Sequence, residues 1–279
     1  MRLMRMGDPG AERVAVLHAD GTVRDLSAHC AELAGDQLSP RGLDRLRAVD
    51  PGALPRVPDT VRTGPCVPRP GKIVCIGLNY ADHAAETGSS IPDEPVVFLK
   101  AGTAHAGPFD RVRIPPHSTR TDWEVELGVV IGARAKDVAE ADALAHVAGY
   151  CTANDLSERD DQKKRAGGQW ALGKSHDGFA PMGPWLVTAD EVPDPQALDL
   201  SLDVDDARRQ TGSTATMIFP VAEVIAYLSR FMTLEAGDVI LTGTPPGVGL
   251  GMDPPTFLSA GQVVAAEVEG LGRQGVRMI

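Results

Sequence analysis

In Thr121-Asp122-Trp123-Glu124-Val125-Glu126-Leu127-Gly128-Val129-Val130-Ile131-Gly132, three carboxylates alternate with apolar residues. The β-branched tail and closing glycine read as a strand ending in a turn. Successive side chains of a strand point to opposite faces, so Asp122, Glu124 and Glu126 share one face and Trp123, Val125 and Leu127 the other. Like charges side by side destabilise a sheet, so something positive is expected over the acidic face. A divalent cation held by Glu124 and Glu126, with a third carboxylate arriving from elsewhere, meets that need. Carboxylate oxygens suit Mg²⁺, Mn²⁺ or Ca²⁺, whereas Zn²⁺ would want His or Cys at the same point. The plain alternative is a solvated strand face, whose exposed carboxylates keep their hydration at little cost. A second pair able to do chemistry is His83 and Glu86, three apart in a segment with the pattern of one or two helical turns and therefore neighbours on one face. A carboxylate that orients and charges an imidazole lets it take a proton from water. A surface ion pair is the simpler reading of the same spacing.

These groups need elements to position them. Lys72 to Gly77 reads as a short buried strand running into the His83 segment, and Pro95 to Lys100 as another. Ala139 to Ala148 carries helical spacing, and Gly149 to Asp155 returns as a strand ending at a carboxylate. Helical spacing then lets Asp155, Arg159 and Gln162 share a face. Val221, Val224, Ile225, Leu228 and Phe231 recur at three and four, predicting an amphipathic helix from Pro220 with the proline in its first turn. Asp238 to Gly243 is a strand that opens onto Thr244-Pro245-Pro246-Gly247-Val248-Gly249-Leu250-Gly251. That loop lacks the Gly-Lys-Ser/Thr ending of a nucleotide phosphate loop. Its amides and the Thr244 hydroxyl are expected to bind a substrate carboxylate, or else to form a structural turn. Gln262 to Val268 reads as a last strand. Upstream, Val14–Leu17 and Thr22–Leu26 flank an Asp20-Gly21 step, the signature of a hairpin, and Ser39 to Val49 holds a short helix. Pro51, Pro55, Pro58, Pro68 and Pro70, following in quick succession, suit an extended connector. A small N-terminal β unit over 1–68 and a main domain over 69–279 follow.

Twenty-seven basic against 38 acidic residues leave a net charge of −11 over 279 residues, which argues against nucleic acid or an anionic membrane as the main partner. A small anionic substrate remains compatible, because a local cation overrides the global charge. No apolar run is long enough to span a bilayer, and no apolar stretch of signal-peptide type follows Met1–Gly10. Cys30, Cys66, Cys75 and Cys151 are widely spaced without CxxC pairs, the usage of reduced thiols in a cytoplasmic protein.

Five separated blocks together resemble the fumarylacetoacetate hydrolase superfamily over roughly residues 70 to 279. They are Ile76–Tyr80 with His83 and Glu86; Asp122–Leu127; Asn154-Asp155 with Arg159 and Gln162; Gly173-Lys174 with Met217-Ile218-Phe219; and Gly237–Gly249. Within it the chain looks most like bacterial members acting on 2,4-diketo acids. The resemblance implies an α+β, mainly β architecture, a mixed β-sandwich roll with a small N-terminal β domain, assembled as a homodimer. It implies Mg²⁺ or Mn²⁺ on Glu124, Glu126 and Asp155, with Ca²⁺ as a non-catalytic substitute, and Lys174 beside the metal. His83 and Glu86 are implied to sit on a mobile lid. Arg159, Gln162 and Thr244, with Tyr80, are placed around the substrate's oxo-acid end. The implied activity is hydrolysis of the C–C bond of an acylpyruvate-like acid. The same metal site would serve oxaloacetate decarboxylation or keto–enol tautomerisation, and a non-catalytic metal-binding protein is the reading from another class. The chain departs from the family pattern at His176, a candidate specificity residue or packing histidine, and at Asp205-Asp206-Ala207, where relatives carry Asn-Gly-Glu before Gln210 and Thr214.

Overall fold

A computed structural model describes residues 1–86, 90–165 and 167–279, the side chains of 83–85 excepted. A nine-stranded sheet runs in the order Val23–Asp25, Arg13–Leu17, Arg2–Met6, Leu186–Thr188, Val147–Asn154, Val125–Ile131, Val239–Leu241, Ile73–Gly77 and Val96–Lys100. All neighbours are antiparallel except Val239–Leu241 with Ile73–Gly77. A five-stranded sheet, Ala207–Ser213, Asp199–Val204, Val263–Val268, Gly272–Met278 and Arg111–Val112, packs across the centre of the first. The mainly β sandwich expected from the sequence is what forms.

The physical driver is the apolar content of both central strands of the large sheet. Val125–Ile131 and Val147–Asn154 are buried along their whole length, because the second sheet and the helix Val221–Phe231 leave neither face to water. The solvated-face reading of the acidic strand therefore fails. Gln210, an inward residue of the otherwise exposed Ala207–Ser213 strand, clasps the two sheets at their site end. Its Oε1 accepts from Val125 N at 2.9 Å and its Nε2 donates to Thr244 Oγ1 at 2.8 Å. The hairpin over residues 13–25 and the helix Pro40–Arg47 form as the sequence predicts. Pro220 takes the capping position just ahead of Val221–Phe231 rather than a place inside its first turn.

Two expectations are corrected. The Thr121–Gly132 strand is not continuous: Thr121–Asp122 pairs with Ser157–Glu158 as a separate two-stranded ribbon, and Val125–Ile131 belongs to the large sheet. The helix carrying Arg159 begins at that residue, so Asp155 stands before the ribbon and shares no helical face with Arg159 and Gln162.

Candidate active site

The register of one antiparallel pair builds the acidic centre. Asn154 lies opposite Val125, and Asp155 N donates to Glu124 O at 2.9 Å, so Glu124 and Asp155 face each other one step beyond the ladder. Glu126, two residues along, opposes Ala153 and returns to the same face as Glu124. The carboxylate oxygens of Glu124, Glu126 and Asp155 lie within 4.8 Å of one another, and all three residues are buried. They line a cleft whose walls include Phe98, Trp170 and Leu250.

Cations converge on these carboxylates. Lys174 Nζ sits 2.6 Å from both Glu124 Oε2 and Asp155 Oδ2, and 5.2 Å from the centroid of the Phe98 ring. Although burial works against it, Asp155 and Glu124 hold the Lys174 ammonium above the usual lysine range. Gly173 makes this placement possible, because a side chain there would collide with the Glu158 carbonyl, just ahead of the helix Arg159–Lys163, and with the Gln162 amide inside it. Arg159 reaches Asp122 Oδ2 through Nε at 2.8 Å and Glu124 Oε1 through Nη1 at 2.7 Å, and donates to Gln162 Oε1 at 3.0 Å. Lys100 pairs with the other oxygen of Asp155 and donates to Leu156 O at 3.1 Å.

Four carboxylates (Asp122, Glu124, Glu126, Asp155) thus meet three cations (Lys100, Arg159, Lys174), and the one left over is Glu126. Among the described residues Glu126 makes no ion pair: the Gly243 amide donates to its Oε2 at 2.8 Å, and the Lys174 charge acts on it only from farther off. Burial, with Asp155 and Glu124 beside it, pushes its carboxyl well above the usual carboxylate range. A divalent cation at the three oxygens removes that penalty. The donor set fits a hard ion, since burial and the nearby Asp155 keep the one adjacent thiol, Cys75, protonated.

A sequence-family model described as fumarylacetoacetate (FAA) hydrolase C-terminal matches residues 72–278. The chain belongs to the fumarylacetoacetate hydrolase family. A Burkholderia multivorans protein whose name assigns it provisionally to the hydrolases is 61% identical over 275 residues, covering 98% of this chain and 97% of that one. The solved fumarylacetoacetate hydrolase of Exiguobacterium antarcticum superposes with a TM-score of 0.88 at 37% identity, covering 100% of this chain and 99% of that one. A 2-hydroxyhepta-2,4-diene-1,7-dioate isomerase from Mycobacterium marinum superposes with a TM-score of 0.78 at 33% identity, covering 100% and 98%.

In this family member the structure brings Glu124, Glu126, Asp155, Arg159, Gln162, Lys174 and Thr244 to one cleft. Tyr80 is fully buried, does not line it, and its hydroxyl has no partner among the described residues. His83 lies on the short helix Ala81–Glu86, but its side chain is outside the described residues. Glu86 is tied to the glycine-rich loop, its Oε1 accepting from Gly247 N at 2.9 Å. Gly247 has φ 104°, a left-handed conformation, and a side chain there would strike the Arg209 carbonyl.

The loop amides expected to hold a substrate carboxylate are engaged instead by the protein's own. Gly249 N and Leu250 N donate to the two oxygens of Asp122 at 2.7 and 2.9 Å, and Thr244 Oγ1 donates to Val125 O at 2.8 Å. Asp122 is thereby a fastener between loop and Arg159 rather than a third acid over the metal position. His176 faces away from the cleft, toward Asp161. The divergent Asp205-Asp206 step is the turn of the Asp199–Ser213 hairpin, with Asp205 Oδ1 accepting from Val263 N at 3.0 Å, and it does not line the cleft.

Sequence reasoning missed Lys100 and Lys163. Lys163 lines the cleft, where burial and the neighbouring Arg159 hold its ammonium below the usual lysine range. Lys100 ends an apolar strand and is 4% exposed, which sequence alone does not separate from a solvated strand end. Lys100→Met is expected to destabilise the metal-free protein by about 3–5 kcal/mol in urea denaturation, since it strands one member of a buried ion pair. A loss below about 1 kcal/mol, the scale of an exposed pair, would show the lysine to be peripheral.

Proposed function

We propose that this chain is a divalent-metal-dependent hydrolase cleaving the C–C bond of a 2,4-diketo, acylpyruvate-like acid. The observation that supports it best is the buried Glu124–Glu126–Asp155 trio with the Lys174 ammonium fixed at its edge. Breaking a C–C bond hydrolytically requires the carbon leaving group to pass its charge to an oxygen that the site stabilises. Bound at the trio, Mg²⁺ or Mn²⁺ supplies Lewis-acid polarisation of the substrate's oxo-acid end and counter-charge for the enolate.

The chain's own groups complete the reaction in this reading. Gln162, its carbonyl oxygen held by Arg159, offers its amide nitrogen to the substrate carboxylate. Phe98, Trp170 and Leu250 limit bulk water around the reacting carbons. His83, oriented by Glu86, takes a proton from the water that adds to the 4-carbonyl. The C3–C4 bond then breaks, its electron pair forms the pyruvate enolate beside Lys174, and protonation at C3 yields pyruvate and a carboxylic acid. The working form is taken as a cytoplasmic homodimer, which sedimentation of the purified protein checks.

A product-resolved assay on acylpyruvates and oxaloacetate with added Mg²⁺ or Mn²⁺ tests the reading. Pyruvate plus a second carboxylic acid is the expected result. The isomerase likeness favours a second reading, keto–enol tautomerisation, in which the only product signal is isotopic exchange at C3. Release of CO₂ from oxaloacetate without hydrolysis would mark a decarboxylase, and metal binding without turnover of any of these acids a non-catalytic protein. His83→Ala is expected to slow hydrolysis by about 10²–10⁴-fold, the range of a lost general base, with oxalate binding unchanged. Undiminished turnover in that variant removes the dyad from the mechanism.

A further inference from the structure

Outside the cleft, two imidazoles converge on a single carboxylate oxygen. His117 Nε2 lies 2.7 Å and His176 Nε2 3.0 Å from Asp161 Oδ2. The three residues come from separate stretches: the loop ahead of Thr121–Asp122, the helix Arg159–Lys163, and the segment just after the helix Trp170–Lys174. Their ligand atoms all lie within 4.8 Å of one another. The other oxygen of Asp161 is taken by Arg165, and the Asp161 amide donates to Glu158 Oε2 at 2.6 Å, so Oδ2 is the oxygen left to the imidazoles. His176 packs edge-on against Phe179 at 5.1 Å between centroids, which fixes its ring. His117 is half-exposed and free to adjust.

We infer that His117, Asp161 and His176 form a second metal site, for an ion of the zinc class. Two imidazole nitrogens and one carboxylate oxygen are a three-ligand set of the borderline-soft kind that Zn²⁺, Co²⁺ and Ni²⁺ take, with a fourth position open to solvent. Tetrahedral zinc with ligand bonds near 2.0–2.1 Å spaces its donors about 3.3 Å apart. The His176–Asp161 separation of 3.0 Å is already close to that spacing, and the 2.7 Å between His117 and Asp161 opens to it by movement of the exposed His117 ring. Arg165 on Asp161 then acts as the outer partner that orients a ligating carboxylate.

The placement gives such an ion a mechanical role. It joins the helix bearing Arg159 and Gln162 to the residues immediately after Lys174, and so clasps the back of the cleft without reaching substrate. The two sites differ in donors: the trio is all oxygen and the outer site is mostly nitrogen, so different metals are sorted between them.

Co²⁺ titration of the full chain, followed by visible absorption, tests this. Wild type is expected to take up two equivalents with distinguishable spectra. His117→Ala and His176→Ala should each keep one equivalent and lose at least about tenfold in affinity for the other, a loss no smaller than that of an outer-shell partner. Glu126→Gln should keep the nitrogen-ligated band that the histidine variants lose. Excess Zn²⁺ should bleach that band by displacement. His117→Gln, a change on an exposed side chain, guards against misfolding and should behave as His117→Ala. The inference is overturned if the histidine variants bind Co²⁺ with wild-type stoichiometry and affinity, or if wild type binds one equivalent that only Glu126→Gln removes; His–Asp hydrogen bonding alone then accounts for the cluster.

Discussion

Glu126→Gln is expected to cut turnover about a thousandfold in the presence of Mg²⁺ or Mn²⁺, the equivalent of about 4 kcal/mol of lost Lewis-acid stabilisation. The same substitution should leave the metal-free protein no less stable. Glu126 is the carboxylate that the surrounding cations do not neutralise, so an isosteric neutral amide relieves a repulsion while keeping its contact with Gly243. The pH dependence follows. Because the folded glutamate binds its proton more tightly than the unfolded one, that stabilisation is whole below the ordinary value of 4.5 and is lost as pH rises through the raised folded value. Thermal melts of the metal-free wild type should therefore fall with rising pH and recover on adding Mg²⁺, whereas Glu126→Gln should show neither trend from this group. A metal-free wild type that gains stability over that window, with Glu126→Gln unchanged, would refute the electrostatic account of the trio.

Lys174→Met should separate catalysis from metal binding. Its ammonium holds Glu124 Oε2 and Asp155 Oδ2, the same groups that would hold the ion, so its loss frees both. Turnover is expected to drop by about 10²–10³-fold, the scale of one lost stabiliser of a developing anion. Mn²⁺ affinity, read by calorimetry, should hold or rise. The metal-free variant should melt earlier than wild type and the loaded variant regain most of the difference, because the ion replaces the missing positive charge. Equal loss of metal affinity and turnover would make Lys174 a structural partner of the trio.

What could be read in advance was set by local rules. Glu124 and Glu126 share a face because the period of extended chain is two, and Asp155 directly follows the next strand of an antiparallel pair, so register brings it opposite Glu124. The hairpin at Asp20-Gly21 and the helix Val221–Phe231 likewise carry their geometry in a few adjacent residues. Lys100 and Asp122 were opaque because their meaning depends on partners 55 and 127 positions away, Asp155 and the Gly249 amide. The Asp199–Val204 strand alternates Leu200, Leu202 and Val204, so its inward face is legible in the sequence. Ala207–Ser213 has no such alternation, since its polar residues reflect exposure, whereas Gly272–Met278 buries Gln274, Val276 and Met278 at every second position. For the loop from Thr244 the two sequence readings could not be separated locally, because whether its amides meet a substrate or internal carboxylates depends on Glu86 and Asp122 far away in the chain.

The pairing of Arg2–Met6 with Leu186–Thr188 bears on any attempt to isolate the part of the chain that holds the cleft. Leu3, Val14, Val16 and Leu26 belong to the same apolar cluster as Val125 and Leu127. Cutting the chain near residue 69 would strip that cluster of its cover and leave the amides and carbonyls of Leu186–Thr188 as a raw sheet border. Such a border is a template for sticking to other copies, so the opening residues serve as a built-in guard against aggregation.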